Sequence, residues 1–135
     1  LQLNEVCHVE EGTGMLVVPG KVVHANPMDL LNSNAMRSFI SGLRGRFDQV
    51  IIDAPPILAV SDIKVIGQYS DKVIYCIKWN DTPREAAIAG LRQVIDAHLP
   101  LAGTVLTHVD VKKHAQYGYG DSGDYYGRHK EYYAD

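Results

Sequence analysis

The residue whose position most directly suggests chemistry is Asp53, which follows the apolar run Val50-Ile51-Ile52 and precedes Ala54-Pro55-Pro56. In open α/β folds, ligands bind outside the carboxyl ends of the strands. A carboxylate at such a position can hold Mg²⁺, directly or through water, beside the phosphates of a nucleotide. An ordinary aspartate at a strand end has the same local sequence, and the motif taken alone favours that plainer interpretation.

A second group with chemical potential is a cluster of tyrosines near the end of the chain, where six of the eight tyrosines occur with glycines between them. A phenol can accept a phosphoryl group, and each phosphorylation adds about −1.5 to −2 charges. Residues 112–135 are formally neutral, so several such events would make this segment strongly anionic. A self-associating aromatic segment and a platform that stacks on single-stranded nucleic acid are the alternatives, and the neutral charge disfavours the latter. The candidate acceptors are Tyr117, Tyr119, Tyr125, Tyr126, Tyr132 and Tyr133.

Composition and charge exclude several classes of protein. The 135 residues are 46% hydrophobic and 21% charged, which excludes wholesale disorder. The net charge of −3 argues against a general nucleic-acid binder. No apolar run is long enough for a transmembrane helix, and no secretory signal is visible. The two cysteines, Cys7 and Cys76, form neither a disulfide framework nor a zinc motif, so we expect a reducing, cytoplasmic setting with Cys76 buried.

The first half of the chain predicts two strands and one helix. An apolar strand covers Met15–Val18. A helix begins at the N-cap Asn26 and ends at Gly45. The run Gln49–Asp53 has no polar alternation and is rich in β-branched residues, which predicts a strand buried on both faces of a parallel sheet.

The second half continues the alternation of helix and strand. Ser61 caps a short helix that ends near Tyr69, and Lys72–Ile77 is a buried strand. Thr82-Pro83-Arg84-Glu85 is a capping box that opens the next helix, and Gly103–Val109 is the last strand. The order β-α-β-α-β-α-β predicts an α/β fold with a mostly parallel sheet flanked by helices in residues 1–111, followed by a flexible tyrosine-rich tail in residues 112–135.

Several segments in fixed order resemble the bacterial tyrosine kinases that control exopolysaccharide and capsule synthesis. Residues 26–33 are similar to that family's Asn-Pro-x-Glu-Leu-Leu-x-Ser segment. Residues 47–62 resemble its Walker B stretch, and residues 82–86 resemble the start of the helix that follows. With the tyrosine cluster after the last strand, the resemblance covers about residues 16–135, as a C-terminal part of the kinase domain.

The resemblance implies a P-loop fold related to the MinD/ParA ATPases, with ATP and Mg²⁺ as cofactors. It implies that Asp53 positions Mg²⁺ and that the tail tyrosines are phosphorylated by neighbouring subunits of a ring. It further implies a partner in the inner membrane, a polysaccharide co-polymerase or adaptor, as well as a tyrosine phosphatase, and a location at the cytoplasmic face of that membrane. Nucleic acid is not among the implied partners.

Two departures from the family pattern bear on activity. The chain begins at Leu1 and contains neither the Walker A phosphate loop nor the second aspartate motif, Walker A′. We therefore expect a piece of a longer protein that does not transfer phosphate by itself and whose strand Val50–Ile52 lacks a neighbour, which favours aggregation. After Leu106, Thr107-His108 stands where related ATPases often have an asparagine near the adenine, and Thr107 becomes the candidate base contact. A non-catalytic module with a phosphorylatable docking tail and a partitioning- or division-type ATPase are the alternative functions, although the latter has no need of clustered tyrosines.

Overall fold

The computed structural model describes residues 6–20, 26–60 and 63–116. The chain divides into two compact units, Leu1–Arg46 and Phe47–Asp135. The tyrosine-rich tail from Tyr117 onward and the predicted cap Ser61 lie outside the described residues.

The first unit contains a small hairpin followed by two helices. Strand β1 (His8–Val9) pairs with β2 (Leu16–Val17) in an antiparallel ladder that sets His8 opposite Val17. The sequence predicted a strand at Met15–Val18, and the observed strand lies inside that range. The expectation that it belongs to a parallel sheet was wrong, because a tight turn at residues 10–15 returns the chain directly onto β2.

The helix predicted from Asn26 to Gly45 is in fact two helices. Helix α1 (Pro27–Leu31) begins as expected, since Asn26 accepts a hydrogen bond from the Met28 N–H at 3.1 Å. Helix α2 (Asn34–Arg44) begins with its own cap, in which Ser33 Oγ accepts from the Met36 N–H at 3.1 Å. Ser33 has an extended backbone, so it interrupts the helical hydrogen bonding that the apolar spacing continues across.

The second unit contains a parallel pair of strands with a helical crossover. The elements are α3 (Ile63–Gln68), β3 (Val73–Lys78), α4 (Arg84–Asp96), β4 (Leu101–Thr107) and α5 (Val111–Gln116). Strands β3 and β4 run parallel, from Val73 opposite Leu101 to Lys78 opposite Thr107. The predicted strands Lys72–Ile77 and Gly103–Val109 and the short helix ending near Tyr69 are confirmed within two residues at their ends. A helix also follows the predicted capping box, although the box itself is not formed.

The start of α4 differs from the prediction because Pro83, not Thr82, occupies the N-cap position. The Pro83 carbonyl accepts from the Ala87 N–H at 2.9 Å, and no side chain caps the helix. The Thr82 N–H instead donates to the Lys78 carbonyl at 3.1 Å, so Thr82 belongs to the preceding turn. Helix α4 therefore depends on packing more than on capping.

The core of the second unit lies between α3, α4 and one face of the strand pair. It consists of Ile57, Ile63, Val94 and Leu99, with Val73, Tyr75, Ala97 and Leu101 packed against it. Gly90 lets α4 approach the sheet closely, since a Cβ on this residue would lie 3.0 Å from Tyr75 Cζ and 3.2 Å from Ile57 Cγ2. Val94, one turn further, is 1% exposed.

The opposite face of the strand pair is open among the described residues. Ile74 is 61% exposed, and Cys76, which we expected to be buried, is exposed beside it. The prediction for Cys76 was wrong because alternate residues of a strand point to opposite faces, and the described helices cover only the other face.

The strand predicted at Gln49–Asp53 is not formed. The segment pairs with no strand of the described residues, and Ile51 is 78% exposed. A strand is defined by the backbone hydrogen bonds of its neighbours, and neither β3 nor β4 pairs with this segment, although each has a free edge in the described part of the chain. Within residues 6–20, 26–60 and 63–116, this apolar run has no strand neighbour.

Candidate functional site

The carboxyl ends of β3 and β4 form the best defined edge in the structure. Lys78 and Thr107 lie opposite each other as the last pair of the ladder. The Trp79 N–H then donates to the Thr107 carbonyl at 3.0 Å, which extends the pairing by one residue. This is the edge at which an open α/β fold places its ligands.

Both strands leave this edge through residues with a left-handed backbone. Asn80 has φ 57° and His108 has φ 56°. Such a conformation is uncommon for residues other than glycine, although asparagine and histidine are enriched in it. The two turns next to Trp79 and Thr107 are thus held in conformations that the surrounding contacts must maintain.

An aromatic pair lies just beyond these strand ends. The rings of Trp79 and His114 have centroids 6.3 Å apart and are tilted by 56°. Helix α5 carries His114, and Asp110 caps that helix by accepting from the Lys112 N–H at 3.0 Å and from the Lys113 N–H at 3.2 Å. The cap fixes where α5 begins and so helps to place His114 beside the indole.

Two lysines near the aromatic pair have carboxylate partners. Lys78 forms an ion pair with Asp81 at 3.3 Å, and Lys113 forms one with Asp110 at 3.8 Å. All four side chains are well exposed, so these pairs contribute little to stability. Their consequence for ligand binding is that neither lysine is an unpaired cation.

Asp53 lies outside this strand ladder. Its carboxylate is exposed, and it forms no ion pair with any described residue. Three residues further on, Pro56 accepts hydrogen bonds from the Ala59 N–H at 2.9 Å and the Val60 N–H at 3.3 Å, and this turn anchors Ile57 in the core. The structure therefore fixes the chain just after Asp53, and the described ladder does not join Asp53 to Thr107.

The donor set fits Mg²⁺ bound through one carboxylate. Mg²⁺ keeps several waters and is commonly held by one or two carboxylates together with substrate phosphates, so a single exposed aspartate suffices as a protein ligand. Across residues 6–20, 26–60 and 63–116, no group of three or more His, Cys, Asp or Glu side chains forms a metal cage. The role of Asp53 stays a prediction.

The other predicted site residues have different outcomes. Thr107 is half-buried at the end of β4, at the edge where the sequence placed it, and its contact with a base remains a prediction. The six candidate tyrosine acceptors lie outside the described residues. Sequence reasoning did not single out Trp79 or His114, although a sole tryptophan directly after a strand was an available signal.

Comparison with known proteins identifies relatives that are named tyrosine-protein kinases. The chain is 32% identical to the tyrosine-protein kinase YwqD of Bacillus subtilis over 94 residues, which are 70% of this chain and 40% of the relative. A Klebsiella pneumoniae relative, whose name describes a tyrosine-protein kinase in a cps region, is 32% identical over 71% of this chain and 13% of its own length. No protein-family model matches the chain.

A solved structure supports the same relationship. The VpsO kinase domain superposes on 82% of this chain with a TM-score of 0.73 and 28% sequence identity. The chain spans 54% of that kinase domain and less than half of the curated relatives named above. None of the helices in the described part of the chain has the length and apolarity needed to cross a bilayer.

The mixed α/β architecture with its small parallel sheet is therefore similar to part of a known kinase domain. By homology over most of its length, the chain belongs with the bacterial tyrosine-protein kinases, of which it represents a part.

Proposed function

We propose that this chain is the C-terminal portion of the catalytic domain of a protein-tyrosine autokinase that uses ATP and Mg²⁺ to phosphorylate its own tyrosine-rich tail. The observation that carries the proposal is the likeness of 82% of the chain to a solved kinase domain. The six tyrosines that follow the last strand supply acceptors within the same polypeptide. The proposed fold is a P-loop, MinD/ParA-like sheet of which β3 and β4 are two strands.

In this proposal, further strands complete that sheet. Strand β3 is paired on one side only among the described residues, and the apolar face around Ile74 is open. The apolar run Val50–Ile52 also pairs with no described strand. One or more further strands with their helices would cover both features, and the kinase domain that superposes on this chain is nearly twice the length matched here.

The nucleotide supplies the phosphoryl group that is transferred, and Mg²⁺ neutralises charge on its phosphates. In this chain, Asp53 would hold Mg²⁺ through a carboxylate oxygen or through a bound water. Its exposed position leaves that carboxylate accessible. A phosphate loop outside these residues would provide the remaining contacts to the phosphates.

The proposed setting is the cytoplasmic face of the bacterial inner membrane. There, neighbouring subunits of a ring phosphorylate one another's tails, a phosphatase reverses the modification, and a membrane-bound co-polymerase or adaptor is the partner. Regulation of exopolysaccharide or capsule polymerisation and export is the proposed outcome. The segments that resemble that kinase family and the cps-region name of one relative support it.

Substitution of the tail tyrosines tests the proposal in the intact protein that contains this chain. Replacing all six candidate tyrosines by phenylalanine should remove most of the phosphotyrosine that forms with ATP and Mg²⁺, as measured by mass spectrometry. Tyr69→Phe is the matched control, because it removes a hydroxyl from the body of the chain at the end of α3. Unchanged total phosphotyrosine in the six-fold variant would refute tail autophosphorylation.

Asp53→Asn tests the metal role separately. The substitution keeps the shape of the side chain and removes the charge that holds Mg²⁺, so we expect phosphorylation to slow roughly a hundredfold or more, since misplacement of the reacting groups has costs of that order. Asp48→Asn, five residues earlier, should leave the rate close to that of the parent. A rate within twofold of the parent for Asp53→Asn would exclude the assignment.

The main alternative is a non-catalytic module whose tail docks on another kinase once phosphorylated. The observation that favours it is that no Gly-x-x-x-x-Gly-Lys-Ser/Thr occurs in these 135 residues. The purified 135-residue chain, given ATP and Mg²⁺, should form no phosphotyrosine under either interpretation. Phosphotyrosine in the intact protein after Asp53→Asn, supplied by a second kinase, would favour the docking module.

A further inference from the structure

We propose that Trp79, together with Thr107 and His114, forms the seat of the nucleobase, with a purine ring stacked on the Trp79 indole. The inference rests on the proposed use of a nucleotide and adds to it the residues that recognise the base. The sequence analysis did not single out Trp79 or His114.

The position of Trp79 in the fold supports a role in ligand binding. Trp79 directly follows β3 at the carboxyl edge of the strand pair, where ligands of open α/β folds bind. The backbone N–H of Trp79 donates a hydrogen bond to the Thr107 carbonyl at 3.0 Å, so Trp79 and Thr107 are held next to each other. A ligand that contacts Thr107 at this edge therefore lies beside the residue that carries the indole.

The Trp79 indole is not part of the hydrophobic core. The buried cluster and the side chains packed against it do not include Trp79, which is half-buried at the rim of the unit. Its ring contact in the described structure is His114, at 6.3 Å and tilted by 56° rather than stacked. A tilted neighbour leaves an indole face on which a planar ring can stack.

The charged side chains near Trp79 bear on whether a base or a phosphate binds there. The nearby lysines, Lys78 and Lys113, are each paired with a carboxylate. An aromatic edge whose Lys78 and Lys113 are already paired favours the neutral π-face of a purine over an anionic phosphate. Base–aromatic stacking is sequence-tolerant and strong enough to contribute to affinity. The Thr107 hydroxyl can both donate and accept, as the polar edge of a purine requires.

The turns around Trp79 and Thr107 have defined backbone conformations. The turns after Trp79 and Thr107 each contain a left-handed residue, Asn80 and His108, and the Asp110 cap holds the start of the helix that carries His114. Two short connections, β3–α4 and β4–α5, are thereby fixed around one small surface. A seat that is already ordered loses less conformational entropy when a ligand binds.

The first experiment uses the 135-residue chain and exploits its sole tryptophan, which gives a single indole N–H resonance in a ¹⁵N-labelled sample. Adenosine 5′-monophosphate should shift this resonance and the Thr107 amide upfield and saturably, because a stacked purine imposes a ring current. Ribose 5-phosphate, which has the same phosphate without the base, should leave both unchanged. Equal shifts with the two compounds, or no shift of the indole with either, would overturn the proposal.

Variants separate stacking from general binding. Trp79→Leu should abolish the effect of adenosine 5′-monophosphate on the Thr107 amide, whereas Trp79→Phe should retain part of it. Tyr69→Leu is the matched control, because it removes an aromatic ring that precedes β3, at the opposite end of that strand. Retention of the full Thr107 shift in Trp79→Leu would count against the stacking role.

The intact protein distinguishes failure of this inference from failure of the proposed kinase function. Trp79→Leu should raise the KM for ATP roughly 5- to 150-fold with kcat within about twofold, because stacking is the same in the ground state and the transition state. If the parent protein forms phosphotyrosine and Trp79→Leu leaves KM unchanged, the base seat is wrong and the kinase function stands. If the parent forms no phosphotyrosine, the kinase function fails, and the shifts in the isolated chain decide the base seat alone.

Discussion

Helix α2 is more strongly amphipathic than α4, yet the two helices have opposite degrees of burial. Helix α4 buries Gly90 and Val94 against the strand pair, whereas no residue of α2 is buried. Helix α2 has a side-chain cap from Ser33, and α4 has none. The difference shows that amphipathic spacing indicates a face able to pack, while the available partner determines whether packing occurs.

The largest expected effect comes from the buried position of α4. Val94→Ala removes two methyl groups from a side chain that is 1% exposed and leaves a cavity, so we expect the free energy of unfolding to fall by roughly 2–3 kcal/mol. Chemical denaturation of the 135-residue chain measures it. Ile95→Ala, at a position that is 57% exposed on the same helix, should cost clearly less. Equal losses at the two positions would contradict the packing described for α4.

A glycine in each helix sharpens the comparison with effects of opposite sign. Gly90→Ala would push a methyl group toward Tyr75 and Ile57, and because the tyrosine can shift, we expect a loss of roughly 1–2 kcal/mol. Gly42→Ala in α2 meets no atom within 4 Å and should stabilise its helix by about 0.5–1 kcal/mol. Thermal unfolding of the two variants provides the test, and stabilisation by Gly90→Ala would show that α4 does not approach Tyr75 so closely.

Removing a hydroxyl at the start of each helix should affect α2 and not α4. Ser33→Ala deletes the acceptor of the Met36 N–H and should cost about 1 kcal/mol of helix stability. Thr82→Ala should have no comparable effect on α4, whose cap position is Pro83. Hydrogen exchange of the first-turn amides of each helix measures both, and faster exchange in α4 for Thr82→Ala would restore the capping box that the sequence predicted.

The smallest expected effect concerns pH and the hairpin of the first unit. Hydrogen bonds from the Thr13 hydroxyl and the Thr13 and Gly12 N–H groups lower the pKa of Glu10 below its ordinary value. A lowered folded-state pKa stabilises the hairpin above the ordinary glutamate pKa, and this contribution is lost as the pH falls through the lowered value. Nuclear magnetic resonance titration should show the turn loosening in that acidic range, and Glu10→Gln should remove the dependence while Glu11→Gln keeps it. A titration unaffected by Glu10→Gln would assign the transition to another group.

The sequence predicted elements well where local signals and packing agree. Strand β3 and helix α4 form at nearly the expected positions, because their apolar residues find partners within the same unit. The break at Ser33 was missed, because a capping residue inside a periodic apolar pattern competes with helix continuation. The run Val50–Ile52 was assigned a strand that it cannot form without a neighbour, which is a property of the sheet and not of the run.

The candidate site was predicted in part for similar reasons. Thr107 was identified because the end of a parallel strand is a recognisable position. Trp79 was missed because its significance depends on the ring of His114, which lies 35 residues further along the chain and is brought near by the β3–α4–β4 crossover. Cys76 was misassigned because an apolar run does not indicate which face of a strand is covered.

The exposed run Val50–Ile52 has a further consequence for Asp53. A short β-branched stretch that is open to solvent is a nucleus for intermolecular cross-β stacking, and flanking charges and prolines act as gatekeepers against it. Here Asp48 and Asp53 flank the run and Pro55-Pro56 follows it. The carboxylate proposed to hold Mg²⁺ therefore also repels copies of the chain from one another, and a neutral variant at this position requires a sedimentation control before its lost activity is attributed to the metal.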